Sequence, residues 1–90
     1  MKTLNIHITG RVQGVFFRAT AQEEAEKLGI TGWARNEPDG SVAILAQGDA
    51  APLEVFLEWC HVGPTSAQVE HVEIEEVENA VIKKEFEIKH

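Results

Sequence analysis

The stretch GRVQGVFFR, from Gly10 to Arg18, places two glycines and two arginines around a turn that follows an alternating apolar run. Glycine lets successive backbone N–H groups point into one concavity, a geometry that binds anions. The stretch also leads into a helix-forming sequence, and a helix N-terminus favours negative charge. Arg18 at that junction adds a planar guanidinium that matches two phosphate oxygens. We therefore predict a site for a small phosphate-bearing ligand, with Phe16 and Phe17 anchoring the loop in the core.

The same glycine spacing is also typical of a plain strand-to-helix connection, so the loop by itself does not establish a site. Other chemistries have less support. The four histidines are scattered without metal-ligand spacing, and no Gly-Lys-Ser/Thr follows the loop as it would in a nucleotide P-loop. Cys60 completes an apolar helical stripe, which favours a buried thiol over a nucleophile. We expect no metal and no cofactor.

Length and charge narrow the possible partners. The 90 residues fit one domain, 1–90, and no apolar run approaches the roughly 18 residues of a membrane span. The net charge of −7 disfavours binding to nucleic acid and to anionic membrane surfaces. All three arginines lie in the first 35 residues, so the protein combines a local basic region with an acidic overall charge. This distribution favours binding of a small anion over binding of a large polyanion. A single cysteine and the lack of a signal-peptide pattern lead us to expect a cytoplasmic protein. An acidic compact domain is most simply a monomer, so we expect a monomer.

The elements that must position the loop can be predicted from hydrophobic periodicity. Leu4, Ile6 and Ile8 alternate with polar residues and predict a strand that ends at Gly10. RATAQEEAEKLG predicts a helix with one apolar face, formed by Phe17, Ala21, Ala25 and Leu28. ITGWARN and SVAILAQG predict a hairpin whose turn is EPDG.

The second half of the chain repeats this pattern of a helix followed by a strand. Asp49 is a plausible N-cap for a helix with the apolar face Leu53, Phe56, Leu57 and Cys60. The strand after it changes phase, because Ala67 and Val69 share one parity whereas Val72 and Ile74 share the other. A bulge near Glu70-His71 would reconcile the two halves. EFEIKH predicts a short last strand with Phe86 and Ile88 facing inward.

The order of elements predicts an α+β fold, the ferredoxin-like βαββαβ plait, with an antiparallel sheet, two helices on one face and a short C-terminal strand. In this topology the first two strands are parallel, and the third strand lies between them. The loop Gln13–Arg18 and the end of the second strand, Asn36, therefore lie at the same edge. Asn36 precedes a Pro-Asp-Gly turn, and by composition an asparagine there is most often a turn residue. Because this fold supports many functions, it does not decide the activity.

Four stretches together resemble the acylphosphatase family: GRVQGVFFR, then GWARNEPDGSV at Gly32–Val42, then QG at Gln47-Gly48 and GPTSAQVEHVE at Gly63–Glu73. The resemblance covers nearly the whole chain, and the first two motifs together are highly specific. It implies a hydrolase that splits the carboxyl–phosphate bond of acyl phosphates without a metal or a covalent phosphoenzyme. It also implies a small-molecule acyl phosphate as the substrate.

The resemblance assigns roles to particular positions. Arg18 would bind the phosphate, and Asn36 would position the attacking water. The backbone amides of the loop would surround the phosphate and, with Arg18, form its binding site, the phosphate cradle. These are the amides of Gln13, Gly14, Val15, Phe16, Phe17 and Arg18.

Two alternatives remain open on the sequence. The first is a non-catalytic, small-anion-binding regulatory domain of the same fold, which would bind its ligand without turnover. The second is RNA binding, because RNA-recognition domains share the plait. The net charge of −7 opposes RNA binding, and SVAILAQG carries no aromatic side chain for base stacking.

Overall fold

The computed structural model describes all residues from Met1 to His90. Five strands and two helices follow one another along the chain: β1 (Lys2–Arg11), α1 (Phe17–Leu28), β2 (Thr31–Asn36), β3 (Val42–Gly48), α2 (Ala50–Val62), β4 (Gln68–Val77) and β5 (Phe86–Lys89). This is the predicted βαββαβ order with a short last strand. Neither helix has the length and apolar character that a membrane span requires.

The strands form one sheet in the order β4-β1-β3-β2-β5, so that β3 lies between β1 and β2 as predicted. Three of the neighbouring pairs are antiparallel, whereas β2 and β5 are parallel, which makes the five-stranded sheet mixed. Asn36 pairs with Val42, and Ile8 also pairs with Val42 from the other side of β3. The ends of β1 and β2 therefore lie at one edge of the sheet, beside the loop that leads to α1.

The predicted bulge in β4 is present. Thr9 pairs with His71 but Gly10 pairs with Val69, so Glu70 is the extra residue. Gly10 lies opposite it with φ +125°, and a Cβ there would collide with the Gln68 carbonyl oxygen. Only glycine fits this approach of two strands. The bulge allows residues on both sides of the phase break to pack against the core, among them Val69 and Val72.

The core lies between the sheet and the two helices. It contains alternate residues of the strands and the predicted apolar faces of α1 and α2, including Phe17 and Phe56. Trp59 connects these two rings, with centroids 5.2 Å from Phe17 and 6.0 Å from Phe56. Phe86 of β5 completes the aromatic group, 6.2 Å from Phe56. The helix that follows the loop is thus held against the sheet by large buried rings, which fixes the position of its N-terminus.

Candidate active site

The connection from β1 to α1 is a tight turn with two residues in the left-handed conformation. Gly14 has φ +72° and Phe16 has φ +62°. A Cβ on Gly14 would meet no atom within 4 Å, so the backbone conformation, and not lack of space, favours glycine there. Val12 before the turn and Phe17 after it are both buried. The turn is therefore anchored at its two ends, while Gly14 and Phe16 between them are exposed and can face a ligand.

A concave pocket of about 340 Å³ opens beside this turn. It lies at the N-terminus of α1, where the first intrahelical bond runs from the Thr20 N–H to the Phe16 carbonyl at 3.0 Å. The N–H groups that precede Thr20 have no helical partner and can bind an anion. Nine residues line the pocket: Val12, Gly14, Phe16, Phe17, Arg18, Ala19, Asn36, Ile88 and His90.

The guanidinium of Arg18 is fixed by the last strand of the sheet. Its Nη1 donates a hydrogen bond to the Lys89 carbonyl oxygen at 2.7 Å, across 71 residues of sequence. No carboxylate forms a salt bridge with it, in contrast to Arg35, whose Nη2 lies 2.9 Å from the Glu37 Oε1. Arg18 thus brings an uncompensated positive charge and spare N–H donors to the pocket, as an anion site requires.

Asn36 lines the same pocket from the end of β2, so the structure brings it together with the loop and Arg18. Its side chain forms no hydrogen bond with the protein and is free to bind a ligand or water. The neighbouring Arg35 lies on the other face of the strand, where its guanidinium stacks 4.7 Å from the Trp33 ring centroid. Arg11 is exposed and does not line the pocket. Of the three arginines, only Arg18 belongs to this site.

Two of the predicted loop residues do not line the pocket with their side chains. Val15 packs against the core. Gln13 turns the other way, and its Nε2 donates to the carbonyl oxygens of Glu37 and Ser41, both at 2.8 Å. This amide connects the loop to the β2–β3 hairpin, and one of its two acceptors, Glu37, directly follows Asn36. Nothing in the sequence signalled the connection, because both acceptors are main-chain atoms at least 24 residues away.

The expectation that both phenylalanines anchor the loop is wrong for Phe16. Phe17 is 2% exposed, but Phe16 is 81% exposed. The left-handed conformation of Phe16 turns the chain at that residue, so the two consecutive side chains point in different directions. Sequence reasoning also missed Ile88 and His90, which reach the pocket because β5 pairs in parallel with β2.

Two other groups have perturbed pKa values, and neither lines the pocket. The Ser41 hydroxyl donates to the Asp39 carboxylate at 2.5 Å, and this bond lowers the pKa of that carboxyl. Burial raises the pKa of the Cys60 thiol, which keeps it protonated and unreactive. No group of three or more histidine, cysteine or acidic side chains is arranged to hold a metal ion.

The chain matches the family model for acylphosphatase over residues 4–88. It is 44% identical over 88 residues to an acylphosphatase of Rubrobacter xylanophilus, covering 98% of this chain and 80% of that protein. It is 49% identical over 78 residues to an acylphosphatase of Thiobacillus denitrificans, covering 87% of this chain and 88% of that protein.

Solved structures show the same likeness. An acylphosphatase from Bacillus subtilis superposes with a TM-score of 0.96 at 36% identity, with each chain covered completely. An acylphosphatase from Coxiella burnetii gives a TM-score of 0.93 at 33% identity, covering 98% of this chain and 92% of that one.

Proposed function

This chain belongs to the acylphosphatase family and hydrolyses acyl phosphates, and on that premise we propose how its own residues perform the reaction. The amides of the loop Gln13–Arg18 and the Arg18 guanidinium bind the phosphate. Asn36 orients the attacking water. The observation that carries the proposal is that Gly14, Arg18 and Asn36 all line the same pocket at the N-terminus of α1.

The reaction mainly requires the protein to position the substrate and the water and to stabilise negative charge on the phosphate oxygens. The water oxygen forms a bond to phosphorus, the bond from phosphorus to the acyl oxygen breaks, and the carboxylate leaves with the electron pair. A carboxylic acid has a pKa of about 4, so the departing oxygen needs no proton. A phosphate oxygen of the substrate can accept the proton of the water. Phosphoryl transfer mainly requires positioning and stabilisation of the equatorial oxygens.

The described residues can supply those two requirements. The Arg18 charge is not neutralised by a carboxylate, and its bond to the Lys89 carbonyl holds it in place before substrate arrives. The free N–H groups of the turn and of the first turn of α1 add fixed dipoles. Asn36 offers both an acceptor and donors to a water, and it is anchored by its backbone pairing with Val42.

The proposal is tested by hydrolysis of benzoyl phosphate, followed by the loss of its ultraviolet absorbance with EDTA present. Arg18→Ala removes up to two charge-assisted hydrogen bonds to the phosphate, and we expect kcat/KM to fall about 10²–10⁴-fold. Asn36→Ala leaves the phosphate cradle intact, and we expect kcat to fall about a hundredfold or more with little change in KM. Matched controls are Arg11→Ala and Asn5→Ala, which remove exposed side chains outside the pocket.

The outcomes separate the candidate functions. Turnover that survives chelation and collapses only in the two pocket variants supports the assigned roles. Folded wild-type protein that binds inorganic phosphate without turnover would instead support the small-anion-binding regulatory domain. We also propose that the protein works as a cytoplasmic monomer, and size-exclusion chromatography with light scattering tests the monomer directly.

A further inference from the structure

Phe16 has three properties that its contribution to folding does not explain. It adopts the left-handed conformation, with φ +62°, which is a genuine outlier for a bulky side chain. It occupies the N-cap of α1 without a side-chain hydrogen bond, where Ser, Thr, Asp or Asn would stabilise the helix. Its ring is 81% exposed and therefore gains little from burial. Strain of this kind at a site is a reason to look for a functional role.

The position of Phe16 indicates what that role is. The residue lines the pocket at the N-terminus of α1 together with Arg18, and the free N–H groups of the helix there can bind an anion. Five of the nine lining residues are hydrophobic, among them Ala19 and Ile88, although a phosphate group needs only polar partners. The pocket, at about 340 Å³, falls within the range that holds small organic ligands. It therefore has both the room and the apolar surface for more than a phosphate.

We propose that the Phe16 ring is the contact surface for the acyl substituent of the substrate, and that the enzyme favours acyl phosphates with apolar or aromatic acyl groups. This inference rests on the proposed function, because it takes the phosphate as bound at the loop and Arg18. Because the buried Val12 and Phe17 close the inner side of the pocket, the acyl group of a substrate bound there must extend toward solvent, on the side where the exposed Phe16 ring lies. The exposed ring then becomes covered only when substrate binds. An exposed aromatic residue in the free protein is what such a contact requires.

The alternative is that Phe16 acts only through the backbone of the loop. The variant that separates these readings is Phe16→Asn, because asparagine adopts the left-handed conformation readily and also suits an N-cap. It removes the ring while it preserves the turn. Phe16→Trp retains an aromatic surface at the same place. Val62→Asn is the matched control, since it removes another exposed apolar side chain, 70% exposed at the end of α2.

The experiment measures kcat and KM for benzoyl phosphate and acetyl phosphate, which share the phosphate but differ in the acyl group. For Phe16→Asn we expect kcat/KM for benzoyl phosphate to fall about tenfold, mostly through KM, because a ring contact is lost. Any effect of the substitution on the loop amides acts on both substrates alike, so we expect the ratio of kcat/KM for benzoyl phosphate to kcat/KM for acetyl phosphate to fall at least about fivefold. Phe16→Trp should retain the preference for benzoyl phosphate, and Val62→Asn should match the wild type with both substrates.

Equal losses with both substrates, or no loss with either, would overturn the role of the ring. Binding of unreactive analogues distinguishes this failure from a failure of the proposed function. Isothermal titration with benzylphosphonate and methylphosphonate needs no turnover. If Phe16→Asn weakens only benzylphosphonate binding, the acyl contact stands even for a protein that hydrolyses neither substrate. If both phosphonates bind Phe16→Asn as they bind the wild type, the acyl contact is refuted whatever the activity.

Discussion

Replacement of Gln13 by leucine tests whether the phosphate loop must be tied to the strand end that carries Asn36. The Gln13 side-chain amide donates to the carbonyl oxygens of Glu37 and Ser41, both at 2.8 Å. Leucine has a similar volume but no donor, so the variant loses both bonds. Because Glu37 directly follows Asn36, the loop and the hairpin would then be positioned relative to each other mainly through the pairing of β3 with β1 and β2.

The cost of the substitution depends on the hydrogen bonds that the two carbonyl oxygens keep. The Glu37 carbonyl also accepts from the Gly40 N–H at 3.1 Å, and the Ser41 carbonyl accepts from the Glu37 N–H at 2.9 Å. Neither oxygen is left without a partner, so each lost bond costs about 0.5–1.5 kcal/mol, or about 1–3 kcal/mol for the pair. A loss of about 2 kcal/mol lowers the Tm of a domain of this size by about 8–16 °C. A displacement of about 1 Å between phosphate and water can cost about a hundredfold in rate.

The assay combines urea unfolding with benzoyl phosphate kinetics at a temperature where every variant is folded. We expect Gln13→Leu to lose about 10–100-fold in kcat. Gln47→Leu is the matched control, because the Gln47 amide also makes two bonds, one to the Val81 carbonyl and one from the Lys83 N–H, both at 2.7 Å. Those bonds lie at the far end of β3, so this variant should lose stability but not kcat. If folded Gln13→Leu turns over as fast as Gln47→Leu, the loop does not need its connection to the hairpin.

Two further predictions concern residues outside the pocket. Cys60→Ala should lower the free energy of unfolding by about 1–3 kcal/mol in urea titrations, because it leaves a small core cavity, and should leave kcat unchanged; inactivity of the folded variant would contradict the structural role. The lowered pKa of Asp39 means that its charge stabilises the folded state above the ordinary aspartate pKa of about 3.9, and that this contribution is lost as the pH falls further through the lowered pKa. The Tm advantage of the wild type over Asp39→Asn should therefore shrink between pH 6 and pH 3; a constant difference would mean that the Ser41 bond does not depend on the carboxylate charge.

Local sequence signals were sufficient for most of the fold. Alternation at Leu4, Ile6 and Ile8 predicted a strand, and the structure confirms that all three side chains are buried. The phase break in β4 predicted a bulge at Glu70-His71, and the observed register skips Glu70. Such features depend on neighbouring residues and on the periods of strand and helix, so they can be read directly from the chain.

The sequence also supplied the family resemblance, and with it the assignment of Arg18 and Asn36. Their placement in one pocket follows from strand order, because β3 between β1 and β2 brings the loop and the end of β2 to one edge. That order was predicted from the succession of elements alone. The catalytic roles of the two residues stay predictions until the kinetics of their variants are measured.

The contacts that hold and enclose the site join residues that are far apart in the sequence. The bond from Arg18 to the Lys89 carbonyl spans 71 residues, and the bonds from Gln13 span 24 and 28 residues. Their acceptors are main-chain oxygens, which every residue carries, so residue type gives no signal of the pairing. The direction of the Phe16 ring depends on the positive φ angle of that residue, and residue type alone does not predict this angle for a phenylalanine. Sequence pattern determines which elements form, whereas the register and packing of distant elements determine which of their atoms meet.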